Sequence, residues 1–517
     1  MNGAQRLIRQ LVACHVDVSF MNPGTSEMQF VAALDDVPEM RAILGLFEGV
    51  VTGAADGYGR MAGKPAATLL HLGPGLGNGI ANLHNARRAR TALVNIVGDH
   101  ASYHLRYDPP LTSDIESLAR PVSSWYRSSS GAEALGTDTA DAVAAAWGPP
   151  GAVATLVVPA DASWMEAGDA VAAPARVGPK AVAQEVVADV AKALRSGEPA
   201  VILLGGGATR RRGLMAASRA ANTTGSKLLC ETFPASLERG AGLPSVDRLG
   251  YLAEFTLAQL AGARHLVLVD AVAPVSFFAY PDLPGYLVPD GCEVHVLMAA
   301  GAGEDAPGAL EELADMLGAP ADSAVLQGAI RPGRPTGALT AESASAAIGA
   351  LLPEGAVVSD EANTSGIFIP GATAGAPVHD WLCLTGGAIG QGMPVATGAA
   401  VACPGRRVLS LEADGSAMYT LQALWTQARE GLDVTTVIFN NGSYAILEME
   451  LNRVGAGTPG PLAHGMLDIA RPDLDFAAMA RGMGVPATRA TTAEEFTVQL
   501  ERSLREDGPS LVEAVLS

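Results

Sequence analysis

The sequence predicts an α/β protein of three doubly wound parallel-sheet domains, and three observations carry that reading. Short apolar or β-branched runs, such as 66–71, 200–204 and 434–439, alternate along the chain with segments of helical apolar spacing. Strands joined through helices must cross over and run parallel, with helices covering both faces of the sheet. Two stretches rich in Ala, Pro and Gly, near 170–180 and 329–337, divide the alternation into segments 1–170, 181–328 and 338–517.

In the first segment a helix is expected over 5–15, a strand over 16–21 and a helix over 26–34. Strands over 66–71 and 92–97 follow, with a glycine-rich turn leading into a helix over 80–90. The second segment carries strands over 200–204, 265–269 and 293–298. The third opens with a strand over 356–359 and continues with another over 408–411. A helix marked by Leu421, Leu424 and Trp425 then ends at Gly431, ahead of a strand over 434–439. A helix over 476–482 and a strand over 510–516 close the chain. With 49% apolar and 17% charged residues over 517 positions, there is core material for about three domains.

The chemistry concentrates between Val408 and Tyr444. One strand there stops at Glu412-Ala413-Asp414-Gly415-Ser416, the next at Asn440-Asn441-Gly442-Ser443. Ligands of open parallel sheets bind outside the carboxyl ends of strands, so Asp414 and Asn441 are expected to face one crevice. A carboxylate, an amide oxygen and the Ser443 carbonyl suit a hard cation such as Mg²⁺, which takes six oxygens and readily shares them with phosphates. The same dipeptides, Asp-Gly and Asn-Gly, also make ordinary turns.

Asp-Gly-Ser, followed after a helix and a strand by Asn-Asn-Gly-Ser, with 27 residues from Asp414 to Asn441, resembles the thiamine-diphosphate (ThDP) signature. It is similar to the 2-oxo acid decarboxylase and carboligase family that includes acetolactate synthase, pyruvate oxidase and benzoylformate decarboxylase. The resemblance implies ThDP and Mg²⁺ as cofactors, with the metal on Asp414, Asn441 and Ser443 and the diphosphate beside Gly415, Ser416 and Tyr444. It places Thr385 and Gly387 of a glycine-rich loop against the cofactor and Ile389 beneath it, as an apolar prop that bends the cofactor into its reactive form. Leu447 becomes a wall of the substrate pocket. Glu450, next to an anionic 2-oxo acid, fits better on a solvated helix face. Ala413 departs from the family's glycine, and its Cβ either crowds the diphosphate or requires φ < 0.

Glu48 lies in the apolar run 44–51. It reads either as a carboxylate at a helix N-terminus or as a desolvated carboxyl that exchanges a proton with a cofactor nitrogen. The segment EGVVTGAADGYGRMAGKP resembles the family's glutamate segment, which implies that Glu48 meets N1′ of the aminopyrimidine. In that family the glutamate and the metal site come from different subunits, so at least a homodimer is implied. His71, directly after a strand, resembles benzoylformate decarboxylase, whereas Gly73-Pro74-Gly75 with Asn78 resembles acetolactate synthase. An imidazole there can steer a carboxylate or return a proton after CO₂ leaves, though a strand-end His is more often an ordinary satisfied polar group. In Asn22-Pro23-Gly24-Thr25-Ser26-Glu27, Thr25 falls where that decarboxylase has a substrate-binding serine, yet Thr25 or Ser26 equally suits a helix N-cap. The segment 277–281 falls roughly where the decarboxylase has a second catalytic His, and it contains none.

Gly205-Gly206-Gly207 followed by Arg210-Arg211-Arg212 is only a weak dinucleotide signal, since the full GxGxxG fingerprint and its later acid are missing. FAD is not expected. His100 and His104 lack a helix signal between them and read as loop or rim. The net charge of −20 argues against nucleic acid and anionic membranes, and no apolar run approaches a membrane span. Five scattered cysteines without a CxxC pair, and an N-terminus patterned as a helix, suit a cytoplasmic protein. The expectation is a ThDP- and Mg²⁺-dependent enzyme that decarboxylates a small 2-oxo acid, ending in aldehyde release or carboligation. Ala413 and the missing second His leave one alternative, a catalytically silent paralogue that binds ThDP or dimerises.

Overall fold

The computed structural model describes residues 1–456 and 460–517. Its first sheet contains β1 (Val18–Asn22), β2 (Arg41–Leu44), β3 (Ala66–Leu70), β4 (Leu93–Asp99), β5 (Trp125–Ser128) and β6 (Val153–Pro159), all parallel in the order β2-β1-β3-β4-β6-β5. The second contains β7 (Ala200–Leu204), β8 (Lys227–Cys230), β10 (Asp247–Arg248), β11 (His265–Ala271) and β12 (Glu293–Ala299), parallel in the order β10-β8-β7-β11-β12. The third contains β13 (Val357–Glu361), β14 (His379–Cys383), β15 (Val408–Ala413), β16 (Val434–Asn440), β17 (Ala487–Ala490) and β18 (Ser510–Val515). The strand left over from the middle segment, β9 (Leu237–Arg239), pairs antiparallel with β14 at the edge of this third sheet.

Burial explains the parallel arrangement. All five residues of β7 and all seven of β16 are buried, a continuous run rather than an alternation, because helices cover both faces. The first and third sheets meet through two helices, Glu48–Ala62 and Gly392–Ala402, whose backbones nearly touch. A Cβ on Gly57 would stand 2.1 Å from the Val395 carbonyl oxygen, and one on Gly398 1.8 Å from that of Ala54. Around this crossing Val51, Ala55, Val395 and Ala399 share one apolar core. A buried ion pair, Asp56 with Arg60, ties the crossing to the next loop: Arg60 also donates to the Cys383 carbonyl at 2.8 Å and to the Thr385 hydroxyl at 3.0 Å.

Two expectations change. The glycines after His71 do not form a turn before a helix at 80; the helix runs Leu72–Ala89, with Pro74 in its first turn where no N–H is needed. Gly75 and Gly79 face the Glu48–Ala62 helix, and a Cβ on Gly79 would stand 2.9 Å from Thr52 Cγ2, so the glycines serve close helix packing. The strain sits instead on Leu72, fully buried at φ +51, a conformation that costs a branched side chain about 1–3 kcal/mol. The second change is β9, by which the middle segment extends its neighbour's sheet.

Candidate active site

β15 delivers Asp414 to the crevice, where it opens the short helix Asp414–Ala417 and is 2% exposed. Its Oδ1 accepts from the Gly415 N–H at 2.8 Å, and its Oδ2 from the N–H groups of Asn441 at 3.0 Å and Gly442 at 2.7 Å. The carboxylate at the end of β15 thus organises the turn at the end of β16. Burial pushes the Asp414 carboxyl above its ordinary range, and the three N–H groups offset that only in part. Among the described residues no cationic side chain pairs with it.

Asn441 is exposed, and its Oδ1 accepts from the Ser443 N–H at 2.9 Å. Asn440 is structural: its Nδ2 donates to buried Glu513 at 2.9 Å. The turn is pinned from outside by a bridge between Ser443 and Asp468 and by the Tyr444 N–H on the Leu467 carbonyl at 2.9 Å. The Tyr444 ring lies against Gly415, where a Cβ would stand 2.3 Å from it. Ala413 sits at φ −77, ψ 148, extended backbone that carries a Cβ without strain. Asp414 and the turn it organises offer carboxylate, amide and carbonyl oxygens, donor types that suit Mg²⁺ rather than a softer ion.

The second loop, Thr385 to Gly390, is held by the helix Leu72–Ala89. His84 Nε2 meets the Gly386 carbonyl at 3.1 Å, Asn85 Nδ2 donates to Ala388 O at 2.8 Å, and Asn82 Nδ2 to Gly390 O at 3.1 Å. Gly387 and Gly390 take φ of +74 and +93, which only glycine adopts cheaply, and Ile389 between them is half-buried. Beneath lies a pair of buried carboxyls. Glu361 accepts from the Gly390 N–H at 2.6 Å, and Gly392 packs on Glu412. Burial raises both above the carboxylate range, and at Glu412 the charge of Glu361 adds to the rise. Sequence reasoning gave neither residue a role; their signal was a carboxylate at the end of a buried strand.

In the first sheet, Glu48 starts its helix and is 8% exposed. Its Oε2 accepts from Asn78 Nδ2 at 3.0 Å, and a Cβ on Gly75 would stand 3.2 Å from Oε1, so the bare glycine leaves that oxygen room. His71 caps β3 with its side chain 22% exposed. Its Nδ1 lies 2.8 Å from Oε2 of Glu27, a buried acid to which sequence reasoning gave no role. Glu27 also accepts from the Gly24 N–H at 2.7 Å and the Ser26 hydroxyl at 2.8 Å, and Ser26 Oγ stands 3.3 Å from His71 Nδ1. Ser26, not Thr25, therefore contacts the imidazole; Thr25 is exposed at the start of the same turn. The signal for Glu27 was its place three residues after Gly24, the spacing of a capping box.

Leu447 is 45% exposed on the helix Ala445–Arg453, and Glu450 lies 3.6 Å from Arg453 rather than on a free face. Phe277 packs on the loop, its ring 3.0 Å from where a Gly387 Cβ would stand, in contact with Phe233, Tyr251 and Phe278. His100 and His104 stack edge to face at 6.0 Å.

A buried carboxylate and two glycine loops at the carboxyl ends of one sheet, with a glutamate and a histidine on another, are the parts of a diphosphate-cofactor enzyme in a three-sheet α/β fold. The chain belongs to the thiamine pyrophosphate enzymes: the N-terminal TPP binding domain matches residues 1–118 and the C-terminal TPP binding domain residues 375–514. It is 60% identical, over 100% of its length and 99% of the relative's, to the acetolactate synthase large subunit-like protein IlvX of Mycobacterium tuberculosis. It is 31% identical to benzoylformate decarboxylase of Pseudomonas aeruginosa, covering 96% of this chain and 95% of that one. The 4-hydroxybenzoylformate decarboxylase of Rhodococcus jostii RHA1 superposes with a TM-score of 0.85 at 25% identity, covering 100% of this chain and 99% of that one. The protein is thus an enzyme of the ThDP-dependent 2-oxo acid decarboxylase and acetolactate synthase-like family. Among the described residues, no helix is long and apolar enough to cross a membrane.

Proposed function

We propose that this chain, with ThDP and Mg²⁺ bound, decarboxylates a 2-oxo acid and releases the aldehyde. The observation that carries the aldehyde outcome is the imidazole of His71, held by Glu27 at 2.8 Å beside Ser26. When bound, ThDP supplies the electron sink for cleavage of the bond to CO₂. Asp414, Asn441 Oδ1 and the Ser443 carbonyl would hold Mg²⁺, with Gly415, Ser416, Thr385, Gly387 and Tyr444 around the diphosphate and Ile389 beneath the rings. The buried Glu48 holds the proton exchanged with the aminopyrimidine, contributed across a subunit contact, so the working unit is at least a homodimer. Glu27 fixes the His71 ring, which orients the substrate carboxylate and afterwards returns a proton to carbon. Thr25 and Leu447 line the substrate side.

On this reading residues 1–170 form the pyrimidine-binding domain, 181–328 a central domain without FAD, and 338–517 the diphosphate-binding domain of a cytoplasmic protein. A second reading, carboligation, is favoured by Phe277, which packs on Gly387 in the segment that falls roughly where the decarboxylase has its second His. The test incubates the protein with ThDP, Mg²⁺ and aliphatic and aromatic 2-oxo acids, and measures CO₂, aldehyde and coupled products. His71→Ala is expected to lower aldehyde formation about 10²–10⁴-fold with cofactor binding kept. Coupled product in place of aldehyde would establish the second reading. No CO₂ from any acid would overturn both and leave the silent paralogue.

A further inference from the structure

Two histidines and a glutamate converge on the middle sheet, at the amino ends of its strands and so at the opposite end from its crevice. His265 opens β11, Glu293 opens β12 directly opposite it, and His295 stands two residues further on. Residues i and i+2 of a strand share a face, so Glu293 and His295 point the same way. His265 Nδ1 lies 3.0 Å from His295 Nε2, and Glu293 Oε2 lies 3.9 Å from both nitrogens. His265 is buried, His295 half-buried and Glu293 exposed, which gives the cluster a solvent side.

The far side of His265 fixes its tautomer. Its Nε2 lies 3.1 Å from Glu198 Oε2 and 3.3 Å from Ser196 Oγ. An ionised carboxylate only accepts, so Nε2 carries the proton and the Nδ1 lone pair faces His295 and Glu293. A carboxylate behind a histidine whose other nitrogen faces a second donor is the usual support of a metal-binding imidazole. Two nitrogens at about 2.0–2.1 Å from one ion stand roughly 3.0–3.4 Å apart, which the pair already satisfies, and the exposed Glu293 closes with a small rotation.

We propose that His265, His295 and Glu293 form a binding site for a divalent transition ion, Zn²⁺ foremost, with Glu198 orienting His265 and water completing the shell. Imidazole donors select Zn²⁺, Cu²⁺ or Ni²⁺ over Mg²⁺, so the site is chemically separate from the oxygen cluster at Asp414. An ion there would clip the edge strand β12 to β11.

The test uses the full chain saturated with ThDP and excess Mg²⁺, titrated with Zn²⁺ alone by calorimetry, with Co²⁺ absorption as a second readout. One equivalent per chain is expected, unaffected by added Mg²⁺. His295→Ala and Glu293→Ala are expected to weaken it at least about tenfold, and Glu198→Gln by about 10–100-fold. Each variant's thermal midpoint without Zn²⁺ establishes that it is folded. No Zn²⁺ equivalent in the wild type, displacement by Mg²⁺, or unchanged binding in folded His295→Ala overturns the proposal and leaves a hydrogen bond between the two rings.

Discussion

The second and third sheets carry the same device at the carboxyl ends of their strands and put it to opposite use. Each has a glycine turn and an aspartate capped by backbone N–H groups. In the second sheet Asp270 sits at φ +51 and accepts from Gly301 N at 3.0 Å, Gly207 N at 3.2 Å and Arg90 Nη1 at 2.7 Å. A Cβ on Gly206 would stand 1.8 Å from its Oδ2. The strand order reverses between β7 and β11, the place where such sheets bind nucleotides, and there the protein's own carboxylate already occupies the donors, neutralised by Arg90. In the third sheet Asp414 has three backbone donors and, among the described residues, no cation. A crevice becomes a site where a charge is left uncompensated, and a nucleotide phosphate in the middle sheet would meet Asp270 instead.

The largest expected effect tests whether the first sheet completes the third. Glu48→Gln keeps the acceptor for Asn78 but removes the exchangeable acid, so turnover is expected to fall about 10²–10⁴-fold with an unchanged thermal midpoint. Near-normal CO₂ release would detach Glu48 from the chemistry and leave the Asp414 crevice without its partner.

A smaller effect sits on the seam between the two sheets compared. His379 opens β14 opposite Arg239 of β9, is 1% exposed, and lies beside Trp381. Burial pushes its pKa down to about 4, and the nearby Arg239 charge adds to that. The unfolded chain takes a proton on this ring below about 6.5, whereas the folded protein does so only near 4. Its contribution is therefore fully present above about 6.5 and is lost as pH falls through that window, by about 3 kcal/mol at pH 4. Urea unfolding of wild type and His379→Asn between pH 7 and 4 checks this: the difference between their stabilities should narrow as the pH drops. A constant difference would mean that the seam is insensitive to this ring.

What the sequence made legible follows from where the information lies. Strands at 408–411 and 434–439, the stop at Gly431 and the pair Asp414 and Asn441 are local patterns, and the structure extends each strand by one or two residues. The helix from Leu72 was hidden because glycine and proline usually punctuate; only contact with the Glu48–Ala62 helix makes glycine the better residue there. Glu27 was hidden because its partner, His71, is 44 residues away and meets it only across the strand ends of the first sheet. The exchange of β9 into the third sheet is likewise a tertiary event that three residues cannot signal.

The sharpest test of the comparison has the smallest energies and depends on sign. Without cofactor, Asp414→Asn removes a buried charge that its backbone donors offset only in part, while keeping an oxygen for the Asn441 and Gly442 N–H groups, so apo stability should hold or rise by about 1 kcal/mol. Asp270→Asn strands Arg90 and weakens two N–H contacts, so stability should fall by about 1–3 kcal/mol. Adding ThDP with Mg²⁺ should then raise the thermal midpoint of wild type and Asp270→Asn but not of Asp414→Asn, since on the proposed reading only the last has lost the anion that would meet the metal. Equal losses in the two apo variants would show that Asp414 is as well compensated as Asp270, and that the charge left open at the end of β15 is not what makes the crevice a site.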